Sequence, residues 1–235
     1  MVYRLWRAVL IGGLLAAVGG IGARAQGDAT PEPGALRNPA LLADDALLTG
    51  EPCAAPCWRG ITPGETAWDE ALAILQADPT LENVREQTDA NSDSKFASWG
   101  QAGGEGCCQM FSLDGEVVSI LFLRFAPDIT LGELFEARGE PSFAISAPAS
   151  NDQAVINLIY PEAQMIVNAY VAGTTGSVSA DSEVVSALLM SPEENDLVLG
   201  TSNLHEWRGY ADYAAYSADA AFDVAPSMTA TPAGG

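Results

Sequence analysis

Cys53, Cys57, Cys107 and Cys108 are the residues whose type and spacing constrain chemistry most tightly in this chain. In an oxidising compartment an even count of cysteines reads first as disulfides. Adjacent cysteines close a strained ring. The expected links therefore run from Cys53 and Cys57 to Cys107 and Cys108, in an order the sequence does not set. Such a link closes a loop of about 50 residues and stabilises by about 4 kcal/mol through chain entropy, against about 2 kcal/mol for a Cys53–Cys57 loop. Neighbouring residues on a strand point to opposite faces, so both cross-links need a bend at Gly106–Cys108. Zinc is disfavoured because Cys-Cys lacks the usual spacing of a half-site. Cys-x-x-x-Cys is also not the Cys-x-x-Cys of a redox-active pair.

Other reactive side chains are scarce. His205 is the single histidine. It cannot build a multi-histidine metal site, and no Gly-x-Ser-x-Gly elbow accompanies it. Its expected place is a partly exposed helix position. Asp89, Asn91 and Asp93 mimic the first ligands of a calcium loop, but the sixth and twelfth positions are Ser94 and Gly100, not the required Gly and Glu. The reading of that segment is a polar surface loop. With 31 acidic residues, some carboxylates must pair, so pairing alone does not point to glycosidic chemistry. Trp207, Tyr210, Tyr213 and Tyr216 suggest either an aromatic binding platform or a docked helix, and packing is the favoured reading. There is no P-loop, no dinucleotide fingerprint and no cofactor motif.

The N-terminus carries Arg4 and Arg7, a Gly-broken apolar stretch over Ala8–Ile21, and Ala23-Arg24-Ala25. These are the three parts of a secretory signal peptide, with cleavage expected before Gln26 and localisation outside the cytoplasm. No cysteine at the cut suggests lipid attachment, and no later run is apolar enough to span a bilayer. Cleavage removes three arginines and no acid, so 10 basic residues become 7 against 31 acids, and the formal charge moves from −21 to −24. That surface repels phosphate backbones and anionic lipid, so nucleic acid is excluded as a partner. Lys95 is the single lysine, and the acidity reads as solubility.

Those residues need elements to position them. Residues 26–52 are rich in Pro, Gly and Ala and read as a linker, with one short turn at Leu41–Leu48. Residues 223–235 read as a low-complexity tail. The α+β domain spans 53–222. Thr66 to Ala77 has helical periodicity through Trp68, Ala71, Leu72 and Leu75, with Thr66 as cap. Asp114-Gly115 reads as a type I′ hairpin turn between Cys107–Leu113 and Glu116–Phe125. Apolar residues on both faces of the second strand mark it as central. Phe96–Gly100 is a short neighbouring strand. Thr130 and Glu133 form a capping box for a helix that Gly139 and Pro141 stop. Strands follow at Phe143–Ser146, Ala154–Tyr160, Met165–Val171 and Glu183–Met190. Asn203 and Glu206 would cap a last helix bearing Leu204, Trp207, Tyr210 and Ala214.

Ile61-Thr62-Pro63-Gly64-Glu65 recurs as Ile129-Thr130-Leu131-Gly132-Glu133. The expected fold is α+β, with antiparallel sheet and helices on one face, and two helix-plus-hairpin repeats over 58–127 and 128–192. Ordinary capping chemistry accounts for the same match. These windows, with Gly139-Glu140-Pro141, resemble the Gly-Ile/Met-Thr…Leu-Gly-x-Pro pattern of small envelope lipoproteins. That group includes the outer-membrane assembly lipoprotein that shares its fold with β-lactamase inhibitor proteins. Residues 52–66 are also similar to bacterial secreted proteins with a Pro-Cys-Trp-x-Gly-Ile-Thr-Pro-Gly motif. The resemblance implies a layered α+β fold and a binding role, and it carries over no functional residue. The lipid-bearing cysteine of the lipoproteins is missing here.

The expectation is thus an extracytoplasmic, non-enzymatic binding or structural module of the cell envelope or exterior, with a protein or glycan partner and Trp207, Tyr210 and Tyr213 as the binding surface. A hydrolase using Asp or Glu carboxylates is one alternative, and a calcium-dependent module is another.

Overall fold

A computed structural model describes residues 36–88, 90–150 and 152–217. The expected signal peptide at residues 1–25 and the expected tail at 223–235 lie outside the described residues. The fold is α+β. Its strands are β1 (Leu81–Thr88), β2 (Lys95–Gln101), β3 (Gly106–Ser112), β4 (Ile120–Arg124), β5 (Phe143–Pro148), β6 (Ala154–Tyr160), β7 (Met165–Val171), β8 (Val184–Met190) and β9 (His205–Glu206). They form one antiparallel sheet in the order β1-β2-β3-β4-β8-β7-β6-β5-β9. The helices are α1 (Ala46–Thr49), α2 (Trp68–Ala77), α3 (Leu131–Arg138) and α4 (Pro192–Thr201), and a 3-10 turn covers Tyr213–Tyr216.

Alternation along the strands sets the core. One line of register partners, Ala97–Met110–Leu121–Leu189–Met165–Tyr160, crosses six strands, and every member is buried. Trp68, Ala71 and Leu75 of α2, Leu131 and Leu134 of α3, and Leu47 of α1 enter the same cluster. Helix α4 departs from a one-face arrangement and runs across strand ends. Ser191 at its start donates its N–H to Ser119 O, and Asn195 Nδ2 donates to Pro161 O. The chain then reaches the outer edge of β5 as β9.

Helices α2 and α3 begin in the same way. The residue before each makes an isolated bridge just ahead of a central strand, Ala67 to Val117 and Thr130 to Glu183. The first helical N–H then donates across, from Trp68 to Glu116 O and from Leu131 to Ser182 O. Each helix is followed by four strands. The sequence windows do not follow this equivalence. Ile129–Glu133 spans the start of α3, whereas Ile61–Glu65 ends before α2 begins.

Several expectations need correction. Residues 36–52 do not form a free linker. Leu41 and Leu42 are 1% exposed, and Leu42 takes a parallel bridge to Phe125. Glu105 N donates to Ala40 O and Ala126 N to Leu42 O, so this strap fills the sheet where β3 and β4 diverge. Asp114-Gly115 does not close a two-residue hairpin. Pairing of β3 with β4 stops at Phe111 and Ile120, because Val118 and Glu116 bond instead to residues 64–68. Asp114 holds the widened loop by accepting from the N–H groups of Glu116 and Val117. The last helix is absent. His205–Glu206 pairs as a strand, and Gly209 at φ +97° turns the chain where a helix cannot continue.

The four cysteines are all bonded, but within each pair: Cys53 to Cys57 and Cys107 to Cys108. A bulge explains why the alternation rule misleads. Trp99 faces Cys108 and Gly100 faces Gly106, which leaves Cys107 as the extra residue. The N-terminal segment meets the sheet through stacked indoles instead of sulfur, with Trp58 and Trp99 centroids 6.0 Å apart.

Candidate binding face

The aromatic segment behaves as packing. Tyr213 and Tyr216 are buried, and Trp207 packs against the core and stacks on Tyr216 with centroids 5.3 Å apart. Tyr210, at 44% exposed, stacks on Phe135. Of the expected platform of Trp207, Tyr210 and Tyr213, Tyr210 alone offers an open ring. His205 is buried on β9, not on an exposed helix face, and its Nε2 lies 3.0 Å from Ser217 O.

A shallow cleft of about 460 Å³ is lined by Ala43, Arg59, Pro79, Thr80, Gln101 and Ala102. Arg59 Nη2 donates to Asp44 Oδ2 at 3.0 Å, and Nη1 donates to Asp78. Burial pushes the Asp78 carboxyl up, but hydrogen bonds from Thr80 and Arg59 outweigh it and hold the group below the usual carboxylate range. A glycosidic general acid needs the opposite shift. These two carboxylates neutralise a structural arginine. Asn91 and Asp93 sit in the connection from β1 to β2, and Asp89 lies outside the described residues. Among the described residues, no group of three His, Cys, Asp or Glu converges as a metal site.

The side of the sheet opposite the buried line carries a different pattern. A single register line crosses all nine strands: Arg85, Ser98, Gln109, Phe122, Leu188, Ile166, Ile159, Phe143 and Glu206. It is polar at both edges and apolar through the middle, and spans about 38 Å at strand spacing. One neighbouring line runs Phe96–Phe111–Ile120–Met190, and the Phe96 and Phe111 rings are 5.1 Å apart. On the other flank a polar line runs Arg124–Ser186–Asn168–Asn157–Ile145. Buried Ile120, Phe122, Val155, Ile159 and Met190 of this side lie outside the main core cluster. Phe111, Leu188, Ile166 and Phe143 are half-buried. Arg37 reaches the corner, its guanidinium 5.1 Å from the Tyr170 ring centroid and paired with Glu183.

Sequence reasoning read β4 as central and covered on both faces, and Ile120, Leu121, Phe122 and Leu123 are all buried, but it did not connect them with the other strands of this side. The signal it lacked is register, because Phe122, Leu188 and Ile166 come from distant segments that only the sheet order brings together.

The chain matches no protein-family model, and neither a curated protein nor a solved structure matches it. No helix among the described residues is long and apolar enough to cross a membrane.

Proposed function

We propose that this protein is an extracytoplasmic, non-enzymatic binding module that receives a protein partner on the second face of its sheet. The observation that carries this reading is the nine-strand register line with polar edges and an apolar centre. A sheet face with that profile is built like an interface, with an apolar middle and a polar rim. Half-buried Phe111, Leu188, Ile166 and Phe143 keep part of their apolar surface accessible on this side, around buried Phe122 and Ile159. On this reading helices α1 to α3 back the sheet on the other side. Paired cysteines and the N-terminal residues 1–25 support export with cleavage before Gln26.

The two halves, α2 with β1–β4 and α3 with β5–β8, act as repeats joined along β4 and β8. Antiparallel pairing of the last strand of each half, and the matched bonds at the two helix starts, support this duplication. The resemblance to small envelope lipoproteins agrees with a repeated layer that presents a sheet to a partner.

The test is site-specific photocrosslinking in the native host. A benzophenone residue at Leu188 or Phe111 should capture one discrete partner, and the same residue at Glu136 on α3 should capture none. Equal labelling from both sides of the sheet would overturn the reading, as would an intact leader on the exported chain by mass spectrometry.

A further inference from the structure

Where the strap meets the β1–β2 end of the sheet, four segments build a cleft that the binding reading above does not use. They are Ala43 of the strap, Arg59 just after the Cys53–Cys57 loop, Pro79 and Thr80 between α2 and β1, and Gln101 with Ala102 at the end of β2. The volume of about 460 Å³ falls within the range of about 300–1,000 Å³ for small-molecule sites. Every lining residue keeps accessible surface. Arg59 has φ +52°, a region where glycine or asparagine sits more easily than arginine. Its guanidinium lies 4.8 Å from the Trp58 ring centroid, donates to Asp44 at 3.0 Å and to Thr80 Oγ1 at 2.6 Å, and reaches Asp78. Strained residues held by many partners are where function concentrates. Gln101 is fixed in a similar manner. Ala43 N donates to its Oε1 at 2.7 Å, which leaves the Nε2 donors to the cleft. Polar groups anchored in this way lose little freedom when a ligand binds. The methyl groups of Ala43 and Ala102 and the Pro79 ring supply the apolar remainder of the lining.

We propose that this cleft binds a neutral saccharide. Sugar hydroxyls both donate and accept, so they suit a mixed set of guanidinium, amide and Thr80 hydroxyl. The C–H face of a sugar ring seats on Pro79 and the alanine methyls. Charged ligands fit less well. One guanidinium against the Asp44 and Asp78 carboxylates leaves one net negative charge, in a chain of formal charge −21, and that field repels anions. An organic cation meets Arg59 itself, while the two carboxylates already share that arginine. A flat aromatic ligand finds no ring to stack on, because Trp58 is 2% exposed. Arg59 is the positioning residue, and Gln101 is the contact.

The experiment is saturation-transfer NMR on the chain from Gln26. The panel holds glucose, galactose, mannose, N-acetylglucosamine, their β-linked disaccharides and their methyl glycosides, with glucuronic acid and glucosamine as charged counterparts. At least one neutral sugar should bind with a Kd of about 1 mM or tighter, and the charged counterparts should bind more weakly. Gln101→Glu keeps the acceptor for Ala43 N but removes the amide donors. It should weaken binding about fivefold or more while the melting temperature holds, which a purely structural glutamine would not do. Ala102→Leu, at an exposed position, should crowd the cleft and weaken binding as well. Tyr210→Ala should bind as wild type does. Binding of free sugars alone marks a soluble saccharide as the ligand, and equal binding of the methyl glycosides marks a unit of a glycan chain; either result supports the site. The inference is overturned if no neutral sugar binds at about 10 mM. Tighter binding of glucuronic acid would overturn it too, as would a loss of binding on Tyr210→Ala that Gln101→Glu does not share. The photocrosslinking test of the sheet face stands apart from each of these outcomes.

Discussion

Gly115 has φ +78°, and a Cβ there would lie 2.2 Å from the carbonyl oxygen of Asp93. A β-branched residue meets both a forbidden backbone region and a collision with main chain. Gly115→Val should cost more than about 2 kcal/mol in urea unfolding, and an unchanged midpoint would refute the described loop. The adjacent Asp114 carboxylate accepts from the Glu116 and Val117 amides, which outweigh the opposing effect of burial and, with Ser112, hold it below the usual range. A folded pKa lower than the unfolded one means that its stabilisation is complete above about pH 4 and is lost as pH falls through the folded value. Asp78 adds to the same acid-side loss. Melting temperature should therefore fall on acidification below about pH 4, and Asp114→Ala should flatten that fall. A mutant curve parallel to the wild-type curve would remove Asp114 from the account.

At the scale of elements, the strap at residues 38–43 works as a piece of the sheet. Leu42→Ala should destabilise by about 2–5 kcal/mol, as buried leucine truncations do, and the loss can be read by chemical denaturation. A change under about 0.5 kcal/mol would mean that the strap lies loosely on the surface. Long elements with their own periodicity were legible in the sequence: α2, α3 with its Thr130–Glu133 capping box, β6 and β7 fall where the pattern places them. Edges and ends were not. Strand β1 is an exposed edge whose residues 85–88 are all polar, so no alternation marks it. Helix α4 has the Ser-Pro-Glu-Glu start of a helix, yet it buries Glu194, Asn195 and Val198 instead of an apolar stripe. The cap of α2 moved because Thr66 Oγ1 accepts from Thr62 N–H instead of serving the helix. The strap was hidden by prolines that read as linker, and its two leucines gave no periodicity to count. The binding face needed register across segments that no local pattern connects.

At the scale of the whole molecule, the disulfides brace locally and the sheet does the joining. Non-reducing peptide mapping should place Cys53 with Cys57 and Cys107 with Cys108 in separate peptides. A peptide joining the two pairs would restore the cross-linked arrangement expected from spacing. Because neither bond encloses a long loop, reduction should lower stability by less than the about 4 kcal/mol of a long cross-link. The molecule's two halves therefore depend on β4 and β8 for their union.

That union has a temporal side. Ile120 pairs with Met190, 70 positions later in the chain. While the polypeptide emerges from its N-terminus, the rim of β4 waits bare through the synthesis of everything up to β8. It is apolar on both sides, the sort of edge that recruits a neighbouring chain. A nascent chain of this kind calls for shielding until its final third arrives, and any interruption before residue 190 leaves a half-built, adhesive product.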